Sequence, residues 1–287
     1  IKYKKAIKGY RYIEFFHYKI ITVTIGQKSE FLKSFKNIGM KIFYLLIFSS
    51  IVLSQPQGRQ VMELAKEQIH PKDLVSTISM TLIKNLHGKE KSRVRTFSNS
   101  QKFYETGEFL TKTLIRFQSP EDVKGTGLLI WEYRDTNKES EQWLYLPAIK
   151  RSKKIFSREK IRSFMGSDFS YEDIKPRDID EDTYEILGEE NLDGKKYYKI
   201  EATPIKISIY SKRIIWIDKD ESLIRKIEFY GKDNKIKKIM TIPKVRRDSD
   251  YLTILKMEME NIKKSHRTTL EFFDISYDNE LEESFFS

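Results

Sequence analysis

Ser76-Thr-Ile-Ser-Met-Thr-Leu-Ile83 is where the reading of this chain turns. Ile78, Met80 and Leu82 alternate with Ser79, Thr81 and Ile83, and a period of two is the signature of an extended strand with one face buried. Just upstream the period is different. From Gly58 to Ile69, Val61, Leu64, Ala65, Gln68 and Ile69 fall on one face with Glu63, Lys66 and Glu67 opposite, and Pro71 follows. That predicts an amphipathic helix that hands over to strands.

The period of two then persists. Phe109, Thr111, Thr113, Ile115 and Phe117 form one alternating row, and Leu223, Arg225, Ile227 and Phe229 another. Tyr251, Thr253, Leu255, Met257 and Met259 form a third, with Leu270 and Phe272 near the end. Asp193-Gly194 suits a two-residue hairpin, and Gly231-Lys-Asp-Asn234 a slightly longer one. This gives about ten strands joined by short turns, hence an antiparallel sheet. One interruption reads as helical. Ser157-Arg-Glu-Lys-Ile-Arg-Ser-Phe-Met-Gly166 has a Ser at its start, Ile161, Phe164 and Met165 on one face, and Gly at its end. The expectation is a mainly β chain with a few helices: an incomplete antiparallel β-barrel, or curved sheet, with helices plugging its open side.

The formal net charge of +11 suggests nucleic acid until the charge is located. Residues 1–39 carry nine Lys/Arg against Glu14 and Glu30, and Lys41 adds one, so the chain from Gln55 onward is only +3. No nucleic-acid partner is expected. The chain has no cysteine, which excludes disulfides, thiolate metal sites, a cysteine nucleophile and a lipid-modified N-terminal Cys.

Met40-Lys41, the apolar run Ile42–Leu53 and the exit Ser54-Gln55-Pro56 have the form of a secretory signal. The run is shorter than the ~20 residues a membrane span needs. Val52 and Ser54 suit the positions before the cut, so cleavage is expected after Ser54. The expected division is 1–39 as an upstream extension outside the mature protein, 40–54 as signal peptide and 55–287 as one domain. Residues 1–39 read as an over-extended start ahead of Met40. A basic cytoplasmic tail on an uncleaved anchor is the other reading.

Catalytic and metal patterns are weak. Gly125-Thr-Gly127 leads into a strand rather than a helix, so it reads as a turn. His17, His70, His87 and His266 are scattered. Asp178-Ile-Asp-Glu-Asp182 copies some offsets of a calcium loop, but Thr183 stands where Gly is required, which favours a solvated acidic turn. Asp168, Glu172 and Asp173 have no evident acid/base partner. The chain is expected to be no enzyme and to need no cofactor or metal.

One extended block is specific. It runs Phe117-Gln-Ser-Pro120, Lys124-Gly-Thr-Gly127, Trp143-Leu-Tyr-Leu-Pro147, Lys150-Arg-Ser-Lys-Lys-Ile155 and Phe164-Met-Gly-Ser-Asp-Phe-Ser-Tyr-Glu-Asp173. Asn191-Leu-Asp-Gly-Lys-Lys-Tyr-Tyr-Lys-Ile-Glu201 follows. In this order the chain resembles the outer membrane lipoprotein-sorting proteins, a LolA/LolB-like group, from about Gly58 to its end. The resemblance implies an incomplete barrel lidded by helices around a cavity for acyl chains. It further implies a periplasmic location, lipid or lipoprotein acyl chains as cargo, and a possible inner-membrane exporter and outer-membrane acceptor. Exposing a ~16-carbon chain to water costs about 12 kcal/mol, so a carrier must supply comparable apolar area. Within the block, Trp143, Tyr145, Ile161, Phe164, Met165 and Phe169 are the expected ligand-binding surface. Lys150, Arg151, Lys153 and Lys154 are the expected rim for a headgroup or an acidic partner. A non-enzymatic envelope-assembly or protein-binding module on the same fold is the alternative.

Overall fold

The computed structural model describes residues 57–287 except 87, 176 and 207, and for residue 86 the backbone alone. The expected upstream extension 1–39, signal 40–54 and start at Gln55 lie outside these residues.

Helix α1 spans Gly58–Lys66. Thirteen strands follow: β1 Asp73–Leu86, β2 Lys89–Phe103, β3 Phe109–Ser119, β4 Gly127–Tyr133, β5 Glu141–Leu146, β6 Arg151–Lys154, β7 Asp182–Leu192, β8 Lys195–Pro204, β9 Lys212–Asp218, β10 Ile224–Tyr230, β11 Ile236–Asp248, β12 Tyr251–Asn261 and β13 His266–Tyr277. A one-turn helix α2, Tyr171–Ile174, lies between β6 and β7. The count exceeds the predicted ten because β6 is only four exposed residues and the start of β2 is charged, so neither shows an apolar alternation.

Among the described residues all thirteen strands join one antiparallel sheet in the order β6-β5-β4-β3-β2-β1-β13-β12-β11-β10-β9-β8-β7. β6 and β7 are its two edges and do not pair, so the sheet stays open and no barrel closes. The open sheet is what the expected incomplete barrel, or curved sheet, requires. Its register stacks apolar side chains across strands: Phe272 opposite Ile78, Ile78 opposite Phe97, and Phe97 opposite Phe117. Ile115, Leu128 and Leu144 continue the row through β3, β4 and β5. Such cross-strand neighbours are the units that stabilise a sheet. Asp193 and Gly194 adopt φ of 52° and 80° between Leu192 and Lys195, the expected primed hairpin.

Helix α1 docks through Gly58, Val61, Met62 and Ala65 on β7 and β8, against Tyr184, Ile186, Ile200 and Ala202. Leu64 and Ile69, predicted on that face, are 53% and 56% exposed. The helix ends at Lys66, where the Glu67 amide bonds the Glu63 carbonyl, and Ile69 lies beyond it. Gly58 explains the close seat. A Cβ there would lie 3.0 Å from the Tyr184 carbonyl carbon, so a side chain would force helix and strand apart by a few tenths of an ångström.

Candidate functional site

The two halves of the sheet are linked on their inner side by the connection from β6 to β7, residues 155–181. Sequence spacing predicted a two-turn helix over Ser157–Gly166. The structure instead shows single 3₁₀ turns at Ser157–Glu159 and Phe164–Gly166. Glu159 breaks the expected pattern by turning inward. It is 8% exposed and accepts from Lys153 Nζ (2.6 Å) and the Phe156 amide (3.3 Å). Met165 then takes φ 49°, which ends any helix, and its carbonyl accepts from the Arg95 guanidinium. The Phe164 amide returns to the Phe169 carbonyl at 2.8 Å, closing a tight loop.

This loop carries three aromatic side chains inward. Phe164 packs 5.8 Å from the Phe117 ring and 5.6 Å from that of Tyr171, within the cluster built from β1–β5. Phe169 packs with Tyr210, Phe229 and Met259, the cluster of the other half. Phe164, Phe169 and Tyr171 are 3%, 4% and 6% exposed. Ile174 and Leu270 touch both clusters. The stretch 164–174 therefore fills the apolar interior and joins both halves of the sheet.

Polar groups latch the stretch at two places. Asp168, 5% exposed, accepts from the Thr268 hydroxyl (2.7 Å) and lies 2.5 Å from His266 Nδ1, while its own amide donates to Thr268 Oγ1 at 2.9 Å. Further along, Ser170 caps α2, and Asp173 accepts from the Lys238 ammonium (2.9 Å) and the Tyr210 hydroxyl (3.1 Å). Glu172 accepts from Ser208 (2.8 Å) and Arg213 (3.0 Å). Burial, helped by the Asp173 carboxylate, pushes the Tyr210 phenol far up, so it stays a donor. Burial opposes the charge on Arg177, but Asp182 at 2.5 Å outweighs it and holds the guanidinium protonated.

These contacts revise the sequence reading. Asp182, read as part of a solvated acidic turn, is 3% exposed and clamped by Arg177 and Arg213. Asp168, Glu172 and Asp173 are each engaged with partners on distant strands. Nothing local in the sequence links Asp168 to His266, and that pair was missed. Among the described residues no group of three or more His, Asp or Glu could hold a metal ion.

The six expected ligand-binding residues do not converge. Phe164 and half-buried Met165 lie in one interior cluster and Phe169 in the other. Ile161 is 55% exposed because the helix that would have turned it inward does not form. Trp143 and Tyr145 point to the opposite face, since Gln142 and Leu144 take the inward positions of β5. Trp143 lies edge-on to Trp131 at 4.7 Å with the Lys154 ammonium 5.4 Å above it. The C-terminal turn Glu283–Phe286 covers this outer face, and the Trp131 indole donates to the Phe286 carbonyl at 3.1 Å. Of the expected rim, Arg151, Lys153 and Lys154 form β6 and Lys150 precedes it at φ 49°.

A family model described as uncharacterized-protein-like matches residues 110–287. No curated protein matches the chain. Among solved structures, a DUF1329 family protein from Desulfovibrio piger is 30% identical, with 80% of this chain and 95% of that one covered at a TM-score of 0.74. A domain from Vibrio parahaemolyticus named for outer membrane lipoprotein sorting is 31% identical, with 80% and 96% covered at 0.73. A LolA superfamily protein from Nitrosomonas europaea shares the fold at 16% identity, 81% and 98% coverage and a TM-score of 0.63.

Proposed function

We propose, because this chain belongs to the LolA-like outer membrane lipoprotein-sorting family, that it is a carrier of acyl chains. The proposed cargo is lipid or the acyl chains of lipoproteins, held in the apolar interior of the sheet and carried through the periplasm toward the outer membrane. An inner-membrane exporter as donor and an outer-membrane protein as acceptor complete the route. The chain acts by binding and release and makes no bond.

One observation supports this most. The interior is filled by Phe164, Phe169 and Tyr171 on a connection with almost no regular secondary structure. A core finished by strands or long helices cannot be vacated without unfolding. A loop can swing out, since short elements held by few contacts open locally. The three side chains then act as place-holders that an acyl chain displaces. Cargo would meet Phe97, Phe117, Leu128 and Met259, apolar surfaces with no fixed chemistry to satisfy. The name of the Vibrio parahaemolyticus domain, for outer membrane lipoprotein sorting, supports the same reading.

The test is mass spectrometry of organic extracts from protein purified from the periplasm, beside titration with a fluorescent fatty acid. Co-purified acyl lipid, displaced by the probe, is expected. Lipid-free protein that takes up no probe overturns the reading.

A further inference from the structure

We infer that the exposed margin from Tyr145 to Ser163 is a docking surface for an anionic lipid leaflet. This deepens the carrier reading, on which it rests for its purpose, and it is carried by different residues.

Residues 147–163 hold seven basic side chains against the single acid Glu159, a net of +6. The chain from Gln55 onward totals +3, so the remainder is −3 and the positive charge is concentrated here. Glu159 is buried and engaged by Lys153 and Arg162. Lys154 and Lys160 pair with Glu141 and Glu139. Lys150, Arg151 and Arg158 are exposed and have no carboxylate within 4 Å among the described residues. These three cations are free to meet an outside partner.

Lysines on an edge strand have an ordinary explanation, since they keep other strands from adding to β6. That explanation fails for their neighbours. Ile149, Phe156 and Ile161 are 59%, 55% and 55% exposed, and Tyr145 is 39% exposed. Apolar groups beside an open edge would promote aggregation, so edge protection does not account for them. Cations interleaved with outward apolar side chains are what an anionic membrane surface selects: the charges seek headgroups and the apolar groups enter the acyl boundary. The location suits the task, because the margin leads directly into the loop bearing Phe164 and Phe169.

Co-sedimentation with vesicles of phosphatidylglycerol and phosphatidylcholine in equal parts, and of phosphatidylcholine alone, tests the surface on the full chain. One variant carries Lys150→Gln, Arg151→Gln and Arg158→Gln. A second carries Ile149→Ser, Phe156→Ser and Ile161→Ser. All six positions are exposed, and circular dichroism should confirm that both variants fold. The wild type should bind the anionic vesicles and leave the neutral ones. The charge variant should bind roughly a hundredfold more weakly, about fivefold per cation, and the apolar variant at least tenfold more weakly. Absence of wild-type binding to anionic vesicles overturns the inference, as does wild-type binding by either variant. Retention on an acidic polypeptide without vesicle binding replaces the membrane with a protein partner. Lipid extracted from these same proteins reports separately on the carrier reading: co-purified lipid with no vesicle binding leaves the carrier standing and removes the docking surface.

Discussion

Replacing Phe164 with Ala distinguishes a removable plug from an ordinary core residue. Truncating a buried Phe costs about 3–5 kcal/mol when the whole domain must bear it. Phe117→Ala, on strand β3 and 1% exposed, should lose that amount. Phe164 differs because its segment can open while the sheet persists. Burial of Phe164, Phe169 and Tyr171 contributes about 2–3 kcal/mol each. Ordering the eight residues 164–171 opposes this by about 1 kcal/mol per residue. The two nearly cancel, and hydrogen bonds such as those of Asp168, about 1 kcal/mol each, tip the balance toward docking. Net docking is thus about 1–2 kcal/mol, less than the truncation removes. Once the segment is undocked, the sheet loses nothing more, so the global loss saturates at the docking free energy. Urea unfolding should show about 1–2 kcal/mol lost for Phe164→Ala against 3–5 for Phe117→Ala. Hydrogen exchange should rise at the amides of Phe164 and Ser167, which bond within the segment, and of Tyr171, which bonds the Arg162 carbonyl just before it, while sheet amides keep their protection. Equal losses in the two variants, with uniform exchange, would refute the plug.

Asp168→Ala strips partners from His266 and from the wholly buried Thr268 hydroxyl, so thermal unfolding should show a loss of about 1–3 kcal/mol. An unchanged midpoint would show that the latch holds nothing. Gly58→Ala should force α1 and Tyr184 apart by a few tenths of an ångström, at a cost of about 1–3 kcal/mol, and expose the helix to protease ahead of the sheet. Glu283 gives a pH signature: its hydrogen bond from Lys112, aided by Tyr104 and Lys102 and opposed by slight burial, holds the carboxyl down at about 2. Since the folded value lies below the unfolded one of about 4.3, its stabilisation is complete above that value and vanishes as pH falls through about 2. The Trp131 indole resonance, which reports the docked C-terminal turn, should shift across that window and cease to do so in Glu283→Gln. If export follows the sequence signal, the intact mass of the secreted product should begin at Gln55, and a product retaining any of residues 1–39 contradicts that cut.

The sheet was readable because strand alternation is local. Ile78, Met80 and Leu82 had to share a face, and Asp193-Gly194 had to turn, whatever the rest of the chain did. The β6–β7 connection was not readable in the same way. Ile161, Phe164 and Met165 have helical spacing, yet the inward turn of Glu159 and the capture of Asp168 by Thr268 decide the conformation, and both depend on tertiary partners. The face of Trp143 and Tyr145 was open for another reason. Strands β4 and β5 are apolar on both sides, and alternation says that Trp143 opposes Leu144 without saying which is inside. The run Leu128-Leu-Ile-Trp131 held a usable signal, since a strand apolar on both faces must be covered on both. Phe286 at the chain's end supplies that second cover.

The strand order also constrains how the molecule is assembled. Eleven of its twelve neighbouring pairs join strands consecutive in sequence, and such hairpins close quickly. The exception is β1 with β13, where Leu74 lies opposite Tyr277 and Lys84 opposite His266. Until β13 has been made and delivered, the β1–β6 meander presents a fourteen-residue edge with Ile78, Met80 and Leu82 along it. Helix α1 does not shield that edge, because it seats on β7 and β8 and not on β1. An N-terminal fragment ending before β13 should therefore be prone to edge-to-edge aggregation, and a nascent chain should need an escort until its last strand arrives.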